Sequence, residues 1–124
     1  LVEKELQQAR QALDDATKAR NAGVSDAAAI NRLYYAGFHA VQAVLYDRGF
    51  EPTSHGGVRS LFGSEVIAAG DAARKNGRFL SQLSELRQQA DYGYGELDAD
   101  VGALLKRTQE LVSEMEALCT TSEQ

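Results

Sequence analysis

The chain holds one cysteine, Cys119, and one proline, Pro52, among its 124 residues. A lone thiol closes no internal disulfide, and nothing joins Cys119 in a zinc-ligand spacing. Neither proline nor the 11 glycines dominate any stretch, so no segment has the composition of a disordered chain. Long apolar runs are missing as well. The best candidate, INRLYYAGFHAVQAVLY (residues 30–46), is interrupted by Arg32, His39 and Gln42. No run reaches the roughly 18 residues of a membrane span. The segment LVEKELQQAR lacks the basic-then-apolar pattern of a signal peptide, and the expectation is a cytoplasmic protein without membrane contact. Positive charge is scarce: 13 Lys and Arg face 18 Asp and Glu, for a net charge of −5. A protein built only to hold nucleic acid carries a basic excess. Any RNA contact here is therefore local, brief, or built where two subunits meet. There is also no phosphate-cradling glycine loop, no metal-ligand cluster and no Ser–His–Asp set, so no metal and no cofactor are expected.

What is present is helical. Apolar residues make up 44% and charged residues 25%, the balance of a soluble globular domain, and the length suits a single core, so residues 1–124 read as one domain. Val2, Leu6, Ala9, Leu13, Ala16 and Ala19 form one buried stripe at helical spacing, ended near Gly23. A second helix starts at a Ser25 or Asp26 cap and runs to about Arg48, with Gly49 as its stop. The turn Glu51–Ser54 feeds a third, roughly Gly56 to Ala69, carrying Val58, Leu61, Phe62, Val66 and Ile67. Residues 70–77 (GDAARKNG) read as a polar loop or a broken short helix. Phe79, Leu80, Leu83, Leu86 and Ala90 mark a fourth helix, stopped around Gly93 and Gly95. Leu97 through Leu118 mark a long fifth. No strand-like alternation and no repeat appears, and the fold class is all-α, an up-and-down bundle of four or five helices.

The second helix carries two stripes. At about 100° per residue, Ile30, Tyr34, Gly37, Val41 and Leu45 lie opposite Arg32 and form the core side, flanked by Phe38 and Val44. Around Arg32 itself lie Ala36, His39, Ala43 and Tyr46, with Tyr35 at the margin. An exposed face is usually rich in Glu and Lys, whereas this one is Ala, Tyr, Arg and His. Small residues admit a close neighbour and tyrosines favour interfaces, so the face is expected to pack against a second copy of the chain in a two-fold homodimer.

Arg32 and His39 are the chemical candidates on that face. Histidine moves protons near neutral pH, and the arginine fork grips phosphate oxygens. About two turns apart along one helix, they can converge on one phosphodiester. Histidine then deprotonates the 2′-OH of RNA or protonates the leaving oxygen, and arginine stabilises the charge of the transition state. No metal enters that route. The plain alternative is an interface hydrogen-bond pair.

Three segments in order, NRLYYAGFHAVQAVLYDRG, the His55-Gly56-Gly57-Val58 turn and ELRQQADYGYG, resemble the small stand-alone HEPN-domain proteins. The resemblance runs from about Asn31 to Gly95. It implies a helical bundle, often dimeric, and for many members the toxin half of a toxin–antitoxin pair whose antitoxin is a minimal nucleotidyltransferase. It further implies a metal-independent endoribonuclease whose sites form across a dimer from an Arg, four to six residues, then a His, a motif that Arg32 and His39 match at its longest spacing. Active members commonly place a polar residue just after the arginine. Here that residue is Leu33, with Asn31 before the arginine as the orienting neighbour. The subgroup modified on a tyrosine two residues after the histidine has Val41 at that place, so that switch does not carry over. Some members are inactive binding domains.

Other residues fall into place around this pair. Tyr35 and Tyr46 are binding candidates on the same face. Ser54 or His55 caps the third helix, or His55 and the glycines beside it hold a phosphate. Arg74, Lys75 and Arg78 form the basic cluster, a solvated loop or a guide for RNA or an acidic partner. Arg87 and Asp91 form an i, i+4 ion pair, and Tyr92 and Tyr94 pack or cap. Three functions compete: a ribonuclease toxin using Arg32, His39 and Asn31, a non-catalytic HEPN module binding a nucleotide or a partner nucleotidyltransferase, and a structural helical dimer in which Arg32 and His39 only complete the interface.

Overall fold

The computed structural model describes residues 1–93 and 97–122, with side chains as far as residue 119 outside that gap. Among the described residues there are five α-helices, one π-helical turn and no strand: α1 Val2–Asn21, α2 Asp26–Asp47, α3 His55–Leu61 continuing into the π turn Phe62–Ile67, α4 Arg74–Tyr92 and α5 Val101–Ser122. No helix among them is long and apolar enough to cross a membrane. Tyr94 and Gly95 lie outside the described residues.

Helix α2 is the axis, packed against α1, α3, α4 and α5. It begins where the Ser25 hydroxyl accepts the amide of Ala28 at 3.2 Å, satisfying one of the open donors of a first helical turn. Its expected core side is buried, with Ile30, Tyr34, Val41 and Leu45 all at 0% exposure. Gly37 on that side permits close approach. A Cβ there would meet Leu111 at 3.3 Å, Leu80 at 3.4 Å and Leu83 at 3.5 Å, so α4 and α5 press onto bare backbone.

The opposite face is not left open for a second copy in the way the sequence suggests. Ala36 and Ala43 are fully buried within the single chain. On the helical wheel they fall between His39, which touches α1, and Gly37, which faces α4 and α5. Helix α1, the most extensive neighbour of α2, brings its own small buried residues Ala9, Ala12 and Ala16. Small side chains on both helices account for the alanines. The part of the face still half-buried is a narrower strip: Asn31, Arg32, Tyr35, His39, Gln42 and Tyr46.

Three boundaries differ from the sequence reading. The third helix is not uniform, for its second half is a π turn, in which Ala68 N–H donates to Gly63 O. The wider turn keeps Phe62 and Val66 buried while the Glu65 carbonyl accepts from Arg48 Nη1 at 3.2 Å. Residues 74–78 are not a loop but the first turns of α4. Asn76 there is fully buried, donating to Glu114 Oε2 at 2.7 Å and accepting from Arg107, and this polar tie to α5 anchors the helix start. Finally, α5 begins at Val101 rather than Leu97, because the Asp100 carboxylate accepts the Ala103 amide at 3.1 Å and caps it.

Candidate functional site

The strip on α2 carries no carboxylate of its own, but the fold brings one in. Glu5 of α1 reaches His39, with Oε2 2.6 Å from Nδ1, and both side chains are largely buried at 16% and 25% exposure. A carboxylate at neutral pH only accepts, so His39 donates from Nδ1. Among the described residues its Nε2 makes no hydrogen bond. One ring nitrogen is held, and the other is unengaged.

Arg32 is tied back to its neighbour. Its Nε and Nη2 donate to Asn31 Oδ1 at 3.1 and 2.7 Å, and its guanidinium stands 5.2 Å from the centre of the Tyr35 ring. The His39 ring adjoins the same tyrosine, at 6.2 Å between centroids. Tyr35 is thus a common wall for the two residues. Asn31 in turn donates to Asp91 Oδ1 at 3.3 Å, and the other Asp91 oxygen accepts from Arg87 at 3.0 Å. The expected i, i+4 pair of Arg87 and Asp91 is present, but it also bridges α4 to the Arg32 end of α2. Arg87 lies 4.8 Å from the Tyr34 ring centre and 5.9 Å from that of Tyr35, so a second guanidinium packs against the aromatic wall.

His55 arrives from the start of α3. The cap there is Ser54, whose hydroxyl accepts the Gly57 amide at 2.9 Å, which frees the His55 ring for other contacts. It stacks on Phe38 at 4.3 Å, and its Nδ1 lies 2.7 Å from the Tyr34 hydroxyl. Phe38 also contacts His39, at 5.5 Å between ring centres, so the two imidazoles stand within about 10 Å of each other around one phenyl ring. Burial, then Arg87, Arg59 and His39 nearby, lower the His55 pKa from its ordinary 6.5. Burial raises the Tyr34 phenol, an effect opposed chiefly by Arg87 and Arg59. A cleft of about 230 Å³ opens here, lined by Phe38, Gln42, Pro52, Thr53, Ser54 and His55.

The remaining sequence candidates are spread out. Tyr46 is half-buried and bonds to Gln42 further along the strip. Arg74, Lys75 and Arg78 are exposed on α4. Lys75 and Arg78 line a different cleft, of about 430 Å³, with Phe79, Gln82, Leu104 and Arg107. Arg78 lies nine residues before Arg87, half a turn round the helix, so that cleft opens on the other side of α4. Tyr92 is exposed. Sequence reasoning missed Glu5, Tyr34, Arg59 and Ser84 as polar partners of the site. Glu5 borders the buried α1 stripe, which was a signal, but its pairing depends on how α1 registers against α2.

Comparison with known proteins agrees with this helical frame. The sequence model of the HEPN domain matches residues 2–118. A UPF0332 protein of Thermotoga maritima is 34% identical over 94 residues, covering 75% of this chain and 70% of the relative. Two proteins of Methanocaldococcus jannaschii, each named "putative toxin", are similar too. One is 36% identical over 64 residues, covering 52% of this chain and 48% of its own length. The other is 29% identical over 91 residues, covering 73% and 61%. Both of these are spanned over less than two thirds of their lengths. With a match over nearly its whole length, the chain belongs to the HEPN family.

Proposed function

We propose that this chain is a toxin that cleaves RNA without a metal ion, with His39 as general base, Arg32 as phosphate clamp and Asn31 as the group that orients Arg32. The observation that carries the reading is the Glu5–His39 contact at 2.6 Å. A carboxylate on Nδ1 holds the imidazole in one orientation and in the tautomer that leaves the lone pair on Nε2. Orienting a base in this way places its lone pair for proton transfer before the reaction begins. Arg32 adjoins the same Tyr35 wall, where a phosphodiester reached by His39 meets a fixed positive charge. Relatives named as toxins support the cellular role.

The half-buried strip of Tyr35, His39 and Tyr46 supports a homodimer in which two such strips meet, since aromatic and arginine side chains favour interfaces. A nucleotidyltransferase antitoxin is the partner that the family resemblance suggests. A second reading is favoured by one observation: Arg32 spends two of its donor groups on Asn31. A clamp so engaged also suits a non-catalytic module that binds a nucleotide or a partner protein through the same face.

The test is cleavage of a mixed RNA substrate in EDTA by wild type, His39→Ala and Arg32→Ala, with helicity checked by circular dichroism. The ribonuclease reading expects cleavage by wild type alone. Equal cleavage by all three proteins contradicts it. Saturable RNA or nucleotide binding without cleavage, lost in Arg32→Ala, supports the second reading.

A further inference from the structure

The geometry points to a second histidine in the same site, with the opposite tautomer: His55 presents an Nε2–H donor to the phosphoryl oxygen of the substrate whose 2′-hydroxyl His39 deprotonates. This rests on the ribonuclease reading for its substrate. The tautomers themselves follow from hydrogen-bond geometry and donor strength.

The accounting starts at a group that can only donate. Arg59 Nη1 donates to Ser84 Oγ at 3.1 Å. Ser84 is buried. Of the neutral pair Tyr34 and His55, the phenol O–H is the stronger donor and the imidazole lone pair the stronger acceptor. The Tyr34 hydrogen is then directed at His55 Nδ1, 2.7 Å away. A neutral imidazole that accepts at Nδ1 carries its proton on Nε2. At His39 the direction is reversed, because Glu5 accepts and Nδ1 donates. Two carriers of one side-chain type thus end as one acceptor and one donor, both against Phe38.

The environment keeps His55 in the donor state rather than making it an acid. The groups that face it are Tyr34, Tyr35 and Phe38 of α2, with Arg87 of α4, Arg59 of α3 and His39 acting on its charge. All of the charged ones are cationic when charged, and burial adds to their effect, so the imidazolium is disfavoured. A neutral imidazole N–H next to cations is a suitable donor to an anionic oxygen. The step balances without a further reagent. The 2′-O–H proton moves to His39 Nε2, the 2′-oxygen bonds to phosphorus, the bond from phosphorus to the 5′-oxygen breaks, and the proton on His39 passes to that leaving oxygen. His55 keeps its own proton throughout.

The experiment is nitrogen-15 NMR of the histidine side chains, using long-range proton–nitrogen correlations above the ordinary histidine titration range. The chain has two histidines, so His55→Gln leaves one spin system and assigns both. The expected result is the Nδ1–H tautomer at His39 and the Nε2–H tautomer at His55, with Tyr34→Phe averaging the His55 nitrogens and leaving His39 unchanged. An Nδ1–H or averaged His55 in the wild type overturns the inference. The second arm adds an RNA oligonucleotide whose 2′-hydroxyls are all methylated, so that it binds but cannot be cleaved by this route. Shifts at both histidines support a shared site, and a shift at His39 without one at His55 overturns it. If both histidines respond but unmodified RNA survives, the ribonuclease reading fails while the paired site stands. If RNA is cleaved with His55 undisturbed, the ribonuclease reading stands and this inference fails.

Discussion

Around His39 and His55 each polar group is held by another: Glu5 holds His39, Tyr34 holds His55, and Asn31 and Asp91 link Arg32 to Arg87. In the cleft between α4 and α5, Lys75 and Arg78 meet no acidic partner among the described residues, and Arg107 alone is anchored, to Asn76 and against Phe79. The α4–α5 cleft is the roomier, at about 430 Å³ against 230 Å³, and the more plainly cationic. It contains no histidine, so nothing in it changes charge near neutral pH. Size and net charge suit the attraction of an anion, whereas chemistry needs a titrating group fixed by a partner. On the proposed ribonuclease reading, attraction falls to one region and reaction to the other.

The sharpest way to break that division is to disable each region in turn. His39→Ala should lower RNA cleavage by about 100-fold or more, the scale of a lost general base. The double variant Lys75→Ala/Arg78→Ala should change cleavage by no more than about threefold, because exposed charges are screened by salt. Initial rates on one RNA, at two salt concentrations, measure both. A large loss in the double variant would place the reaction partly in the α4–α5 cleft.

Asn76 tests the structural side of the comparison. Asn76→Ala leaves Glu114, which is exposed, and Arg107, which is largely buried, without their shared partner, and the lost hydrogen bond to the buried charged group costs about 1–3 kcal/mol. Urea unfolding should show a loss of that order. Cleavage per folded molecule should remain unchanged, since Asn76 anchors α4 to α5 and touches no residue of the histidine site.

The smallest expected effect is a difference in acid stability. His55 has a lowered pKa in the folded state, so the unfolded chain binds its proton more readily. Stability from this group is fully present above the ordinary value of 6.5 and is lost as pH falls from there to the lowered folded value. Thermal unfolding followed through that window should fall less steeply for His55→Gln than for wild type. An equal or steeper fall in the variant would mean that His55 is not the group responsible.

The same contrast explains how much was legible beforehand. Helices α1 and α2 could be read because their apolar residues recur at helical spacing and because Gly23 and Gly49, with φ of 73° and 89°, stop them where other residues are strained. Arg32 and His39 stood out because charges are rare on α2. The start of α4 was missed because a polar residue, Asn76, occupies a buried position, and periodicity counts only apolar ones. Glu5 was missed for a different reason: 34 residues separate it from His39, and only the packing of α1 on α2 joins them. The alanines of α2 were read correctly as a close-packing face but given the wrong occupant, since small residues admit a neighbour without naming it.

The most direct measurement is the chemistry of the cut ends when purified wild-type protein acts in EDTA on a defined RNA, beside the same RNA with a single 2′-deoxy sugar at the cleaved position. The account predicts 2′,3′-cyclic phosphate and 5′-hydroxyl ends on the unmodified RNA, and an intact bond at the 2′-deoxy position, because His39 acts on the 2′-hydroxyl. Cleavage that ignores the missing hydroxyl, or that leaves 5′-phosphate ends, would contradict it.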